Sequence, residues 1–203
     1  MVVFATDSRA ESSEKDGECG YRYALSIAAE FGGDVDQPVT MIGHSAGATS
    51  VLYGGLTSGT YGPEGTYGGC FEGVARPDVI VAIAGCHYEF QGQESIFANA
   101  WAGGWPGRAN PEAHLVMVTG TDDDICEMWQ SEDAAAALRS AGYDVDLVTI
   151  ADANHMTVIF RDLVDDALAD GALTDGEVMT VPDDPAGNQV VQTILNAINA
   201  AKS

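Results

Sequence analysis

The chain has 203 residues, 46% of them hydrophobic and 19% charged. That is enough for one domain with a core and too apolar for an intrinsically disordered protein. Thirty-one acidic residues against 8 basic ones give a formal net charge of −23, which makes nucleic acid and anionic membranes poor partners.

Val2-Val3-Phe4-Ala5-Thr6 reads as a short buried strand, with Asp7-Ser8-Arg9 at its end and a polar loop to about Gly17. Met1 leads into this strand without the basic start of a secretory leader. Tyr21 to Phe31 carries apolar residues at helical spacing, and Gly32-Gly33 stops that helix. Gln37-Pro38 then leads into an apolar, β-branched strand, Val39 to Ile42, which ends in Gly43-His44-Ser45-Ala46-Gly47 before a helix of small residues.

Tyr53 to Gly73 is glycine-rich and loop-like. Asp78 to Ala84 is a strand whose continuous apolar pattern predicts burial on both faces. His87 to Ala113 is a long connection, a possible small lid or substrate loop, carrying Phe97, Trp101 and Trp105. His114 to Thr119 is a further strand, Ser131 is placed to cap a helix ended by Gly142, and Tyr143 to Ile150 is the next strand. Thr157 to Leu168 and Val190 to Ala201 read as helices, and the acidic segment between them, including Asp183-Asp184-Pro185, as a surface loop. Strands alternate with helices without a repeat or linker, which predicts a single α/β domain over residues 1–203 with a mainly parallel sheet. No apolar run approaches the roughly 20 residues that span a bilayer, so the expectation is a soluble protein.

The chemistry gathers at Ser45. Gly-x-Ser-x-Gly between a strand and a helix forces the serine onto a very tight turn. Such a backbone costs roughly 1–3 kcal/mol of strain. A side chain at Gly43 or Gly47 is expected to collide with the neighbouring helix or strand. The turn lifts the hydroxyl clear of the sheet, and the Ala46 N–H, at the start of the helix, becomes a donor to an oxyanion.

A serine hydroxyl needs an adjacent base. The four histidines are His44, His87, His114 and His155. His44 shares the serine's turn and is expected to point elsewhere, and His114 begins a strand. His155 follows a strand in Ala151-Asp152-Ala153-Asn154-His155, where a loop can return to Ser45. The acid belongs just past a strand end, where it can orient the imidazole. Asp122, Asp123 and Asp124 all qualify by position.

These segments, in this order, resemble an α/β-hydrolase of the esterase/lipase superfamily over nearly the whole chain. Gly-His-Ser-Ala-Gly matches the nucleophile elbow, Gly-Thr-Asp-Asp-Asp-Ile resembles the acid loop and selects Asp123, and Asn154-His155 matches the histidine loop. Asp7-Ser8-Arg9 after Val2-Val3-Phe4 resembles the end of a strand that lies shortly before the nucleophile strand. His44 and Ala46 make the motif similar to small carboxylesterases and to kynurenine formamidases.

The resemblance implies an α/β-hydrolase fold and cleavage of carboxylic esters through an acyl-enzyme. Ser45 would be nucleophile, His155 base, Asp123 orienter and the Ala46 N–H an oxyanion donor. Arylformamidase or amidase chemistry is the alternative within that class, and a non-catalytic scaffold the alternative outside it. His44, Phe97, Trp101 and Trp105 are candidate substrate contacts. The substrate would be a small-molecule ester, with no cofactor and no metal, and oligomeric state stays open. Family members also carry an upstream His-Gly-Gly loop supplying a second oxyanion donor. The chain has no His-Gly pair, so the resemblance implies an N-terminally incomplete hydrolase.

Four cysteines, Cys19, Cys70, Cys86 and Cys126, form no Cys-x-x-Cys pair, which argues against zinc. If the strands ending near Cys86 and Cys126 are adjacent and parallel, those two residues meet, and the resemblance also places Cys19 near Cys70. The expectation is two disulfides.

The excess of carboxylates fits either an ordinary acidic protein or a setting of high salt, where the charges are screened. Self-repulsion at low ionic strength predicts that the melting temperature rises as sodium chloride is added. A thermal melt across a salt series checks this, and a flat or falling curve would remove the high-salt reading.

Overall fold

The computed structural model describes residues 13–57, 77–87, 89–90, 93–94, 112–156, 158 and 185–201. Helix α1 spans Ser13–Ile27 and continues as a 3-10 turn over Ala28–Phe31. Strand β1 is Thr40–His44, and α2 follows at once over Ala46–Thr57. Strand β2 is Val79–Ile83. A two-residue hairpin, β3 (Glu89–Phe90) and β4 (Gln93–Glu94), lies in the long connection. Strand β5 is His114–Gly120, α3 is Met128–Ser140, β6 is Asp144–Ile150 and α4 is Pro185–Ala200.

The main sheet has the order β1-β2-β5-β6 with every pairing parallel, so the strands lie in sequence order outward from the nucleophile strand. The register sets Ile42 against Val81, Val81 against Val116 and Val116 against Asp146. The strand expected at Val2–Ala5 lies outside the described residues.

Both faces of the sheet are covered, which explains the unbroken apolar run in β2. Ile80, Ala82, Leu115 and Met117 pack on one face against Ala48, Leu52 and Leu56 of α2 and Ala134, Ala135 and Leu138 of α3. Val79, Val81, Ile83, Val116 and Val118 pack on the other face with Ala153, Val158 and Ala197 of α4. Alternate residues of each strand therefore feed two separate cores, and each fully buried leucine or isoleucine contributes about 1.5–3 kcal/mol.

Element bounds differ from the sequence reading in three places. Helix α1 begins at Ser13, inside the stretch read as a polar loop, because it packs along α2 and tertiary contact carries a helix that periodicity does not announce. Helix α3 begins at Met128 rather than being capped by Ser131, which lies buried in its interior; Glu127 precedes the helix without a side-chain cap bond. Helix α4 begins at Pro185, five residues ahead of the expected start, consistent with the fit of a proline to the first helical position. Of the helix expected over Thr157 to Leu168, only Val158 is described.

Gly32 ends the 3-10 turn in the left-handed region, with φ 79°, and Gly142 follows α3 at φ 94°. At the amino end of the sheet, His114 lies 3.1 Å from Asp144 and 3.0 Å from Asp146. No helix among the described residues is long and apolar enough to cross a membrane.

Candidate active site

Ser45 occupies the junction between β1 and α2. Its N–H donates to the Ile83 carbonyl at 2.9 Å, continuing the ladder to β2, while its own carbonyl accepts from the Ala48 N–H at 2.9 Å and opens the helix. One residue thus ends a strand and starts a helix. The backbone accommodates this at φ 57°, in the left-handed region where a residue with a Cβ is strained.

The turn is possible because β1 and α2 touch at Gly43. A Cβ there would lie 2.8 Å from the Ala48 nitrogen and collide with the Gly47 carbonyl. Gly47 differs from expectation, since no described residue lies within 4 Å of a Cβ built on it. Gly43→Ala is expected to cost at least about 3 kcal/mol, in the range of severe core strain, while Gly47→Ala stays within about 1 kcal/mol of wild type. Urea unfolding of the two variants checks the contrast.

The acid loop leaves β5 directly opposite the loop that leaves β6. Gly120 lets them approach, because a Cβ there would meet the Ala153 backbone. The Thr121 N–H donates to the Ile150 carbonyl at 3.0 Å, the Asp122 N–H to Ala153 at 3.0 Å, and the Asp152 N–H to the Thr121 hydroxyl at 2.8 Å. Within this stitched pair, Asp123 is buried while Asp122 and Asp124 are exposed. Asp123 Oδ1 accepts the N–H groups of Ile125 at 3.0 Å and Cys126 at 2.8 Å. Asp122 instead accepts from the Thr121 hydroxyl.

Three of the residues singled out in the sequence meet. His155 Nδ1 lies 2.9 Å from Asp123 Oδ2 and 3.1 Å from Oδ1, and His155 Nε2 lies 2.9 Å from Ser45 Oγ. The carboxylate can only accept, so Nδ1 carries the hydrogen and Nε2 is left to accept from the serine hydroxyl. The His155 side chain is 7% exposed and that of Asp123 is fully buried. The Ala46 N–H lies at the first residue of α2, where no intrahelical acceptor exists for it.

His44 does not point away from this cluster as expected. Its Nε2 is 2.8 Å from the His155 carbonyl oxygen. The signal available in the sequence was only its adjacency to Ser45. Phe97, Trp101 and Trp105 lie outside the described residues. The described residues contain no group of histidines, cysteines and carboxylates that could hold a metal.

Two further features border the site, and the first is the bridge expected between Cys86 and Cys126. Cys86 and Cys126 are disulfide-bonded with Cα atoms 4.6 Å apart, joining the end of β2 to the acid loop. Cys19 is also disulfide-bonded; its expected partner Cys70 lies outside the described residues. His87 is fully buried over Gly85, and burial pushes its imidazole down to about 4, which keeps it neutral. Thr49 of α2 donates to the Cys86 carbonyl at 3.2 Å, so the same loop is tied to the helix behind Ser45.

Residues 96–169, a little over a third of the chain, match the sequence profile of the prolyl oligopeptidase family, Peptidase_S9. No curated protein sequence matches the chain. Among solved structures, the chain is similar to MGS-M1, an α/β-hydrolase enzyme from a Medee basin deep-sea metagenome library. That likeness has TM-score 0.60 and 12% identity, and covers 94% of this chain and 65% of that one. It is similar to a truncated form of a carbohydrate esterase from gut microbiota, with TM-score 0.59 and 15% identity over 92% of this chain and 68% of that one. It is also similar to SOBER1 of Arabidopsis thaliana, with TM-score 0.53 and 12% identity over 97% of this chain and 68% of that one. The chain thus spans about two-thirds of the length of these structures. With its parallel sheet, its serine at a strand-to-helix turn and these likenesses, the chain has the α/β-hydrolase fold.

Proposed function

We propose that the chain is a serine hydrolase that cleaves carboxylic esters through an acyl-enzyme. The observation that carries this reading is the unbroken hydrogen-bonded line from Asp123 through His155 to Ser45, with the serine held at φ 57°. His155 Nε2 takes the Ser45 proton as Oγ attacks the ester carbonyl carbon. Charge moves onto the carbonyl oxygen, and the Ala46 N–H at the amino end of α2 faces it. The imidazolium, steadied by Asp123, returns the proton to the leaving alcohol. Water then repeats the sequence on the acyl-enzyme, releasing the acid and restoring Ser45.

The surroundings support a neutral or cationic substrate with apolar groups. Ile125, two residues past the acid, and Met156, immediately after the base, are 57% and 59% exposed. A net charge of −23 disfavours approach of an anionic ester. Peptide-bond cleavage is the second reading, because the stretch matching the prolyl oligopeptidase profile contains both Asp123 and His155.

A fluorophosphonate probe tests the nucleophile, and p-nitrophenyl acetate beside a peptide anilide tests the substrate. The expected result is labelling of Ser45 and faster turnover of the ester. An unlabelled Ser45 in the folded protein would make the chain a non-catalytic scaffold, and preferred anilide cleavage would turn the reading to a peptidase.

A further inference from the structure

His44 is the last residue of β1 and the immediate neighbour of Ser45. Its Nε2 lies 2.8 Å from the His155 carbonyl oxygen, and the two rings stand 5.0 Å apart, tilted by 44°. A carbonyl oxygen only accepts, so His44 Nε2 carries a hydrogen and donates it. Two consecutive residues of one tight turn therefore hold the same partner at two points. Ser45 meets the ring of His155 at 2.9 Å, and His44 holds its main chain.

The base needs such a hold because residues 151–156 form neither helix nor strand. Three further hydrogen bonds of that loop run elsewhere. Ala153 accepts from Asp122, Asn154 accepts from Val158, and the Met156 N–H donates to the Asn154 side chain. These tie the loop to the acid loop and to itself. The bond from His44 ties it to the nucleophile turn.

We propose that His44 is a positioning residue that sets the distance between Ser45 Oγ and His155 Nε2, and is not a substrate contact; this rests on the serine-hydrolase reading above. With its Nε2 hydrogen engaged by the backbone of the base, the ring has no Nε2 donor left for a substrate. Neutral imidazole protonated at Nε2 and imidazolium both donate from that atom, so the hold persists in either state. Without it the loop loses its main-chain tie to the nucleophile turn, and a displacement of about 1 Å at reacting atoms costs up to about 100-fold in rate.

The test compares steady-state hydrolysis of p-nitrophenyl acetate by wild type, His44→Leu, His44→Asn and His44→Gln, with the melting temperature of each. Glutamine brings an amide N–H to about the reach of Nε2, while asparagine is too short and leucine has no donor. Expected is a fall in kcat of about 10- to 100-fold for His44→Leu and His44→Asn with KM within about twofold, and recovery of most of the loss by His44→Gln. If His44→Leu does not fold, the asparagine and glutamine pair carries the comparison. Wild-type kcat in the asparagine variant, a glutamine variant no better than asparagine, or a raised KM at unchanged kcat would each overturn the proposal. Fluorophosphonate labelling of wild-type Ser45 is run in parallel. Its failure would overturn the hydrolase reading, whereas labelling with unaffected variants would overturn only the role of His44.

Discussion

On the proposed esterase reading, Ser45→Ala and His155→Ala are each expected to lower ester turnover by on the order of 10⁴- to 10⁶-fold, and the double replacement to cost little more than either alone. The non-additivity follows from the geometry. In the proposed mechanism Ser45 Oγ is a nucleophile only while His155 Nε2, at 2.9 Å, removes its proton, and His155 presents Nε2 only while Asp123, at 2.9 Å, holds the hydrogen on Nδ1. Removing Ser45 leaves no nucleophile, and removing His155 leaves no base to take its proton. Asp123→Asn is expected to cost about 10⁴-fold while keeping the fold, because an amide in place of the carboxylate permits the wrong imidazole tautomer. Kinetics on p-nitrophenyl acetate for the four variants, with thermal melts to show that the protein is folded, measure the effect. Independent, multiplying losses in the double variant would show that Ser45 and His155 do not act as one unit.

The second large effect concerns the bond between Cys86 and Cys126, which closes a loop of 40 residues. Loop-closure entropy for that length corresponds to roughly 4 kcal/mol of stability on the chain-entropy account. Cys126 has a second role, because its N–H donates to Asp123 Oδ1 at 2.8 Å and the neighbouring Ile125 N–H donates to the same oxygen. The disulfide therefore anchors the turn that aims the acid. The double replacement Cys86→Ser/Cys126→Ser is expected to lower both the urea midpoint and kcat, with kcat falling by about tenfold or more as Asp123 loses its fixed aim. Chemical unfolding at constant pH gives the first quantity, and turnover at a temperature where the variant is folded gives the second. A variant that loses stability but keeps wild-type kcat would show that the backbone of the acid loop holds Asp123 without the bond.

Much of the site was legible before any coordinates. Gly43-His44-Ser45-Ala46-Gly47 after a β-branched run specifies a strained turn, since a serine flanked by glycines between a strand and a helix has few other conformations to adopt. The order of strands was readable because strands alternating with helices make a parallel sheet, and β2, β5 and β6 each carry the pattern that burial on one or both faces requires. The choice among Asp122, Asp123 and Asp124 was open on position alone. Of the three, only Asp123 is buried, and it meets His155 and two backbone N–H groups.

The sequence by itself determined the local chemistry: which serine is strained, which loops leave strand ends, and where helices stop at Gly32 and Gly142. Those are consequences of short-range sterics and of hydrogen bonds closed within a few residues. Only the tertiary structure decided the rest. It decided that α1 starts early, because α2 supports it, and that a Cβ at Gly47 meets no described residue while one at Gly43 does. It decided that His44 reaches across 111 positions of sequence to the carbonyl of His155. Contacts of that separation depend on where the sheet places the ends of β1 and β6, and no local pattern of residues encodes that distance.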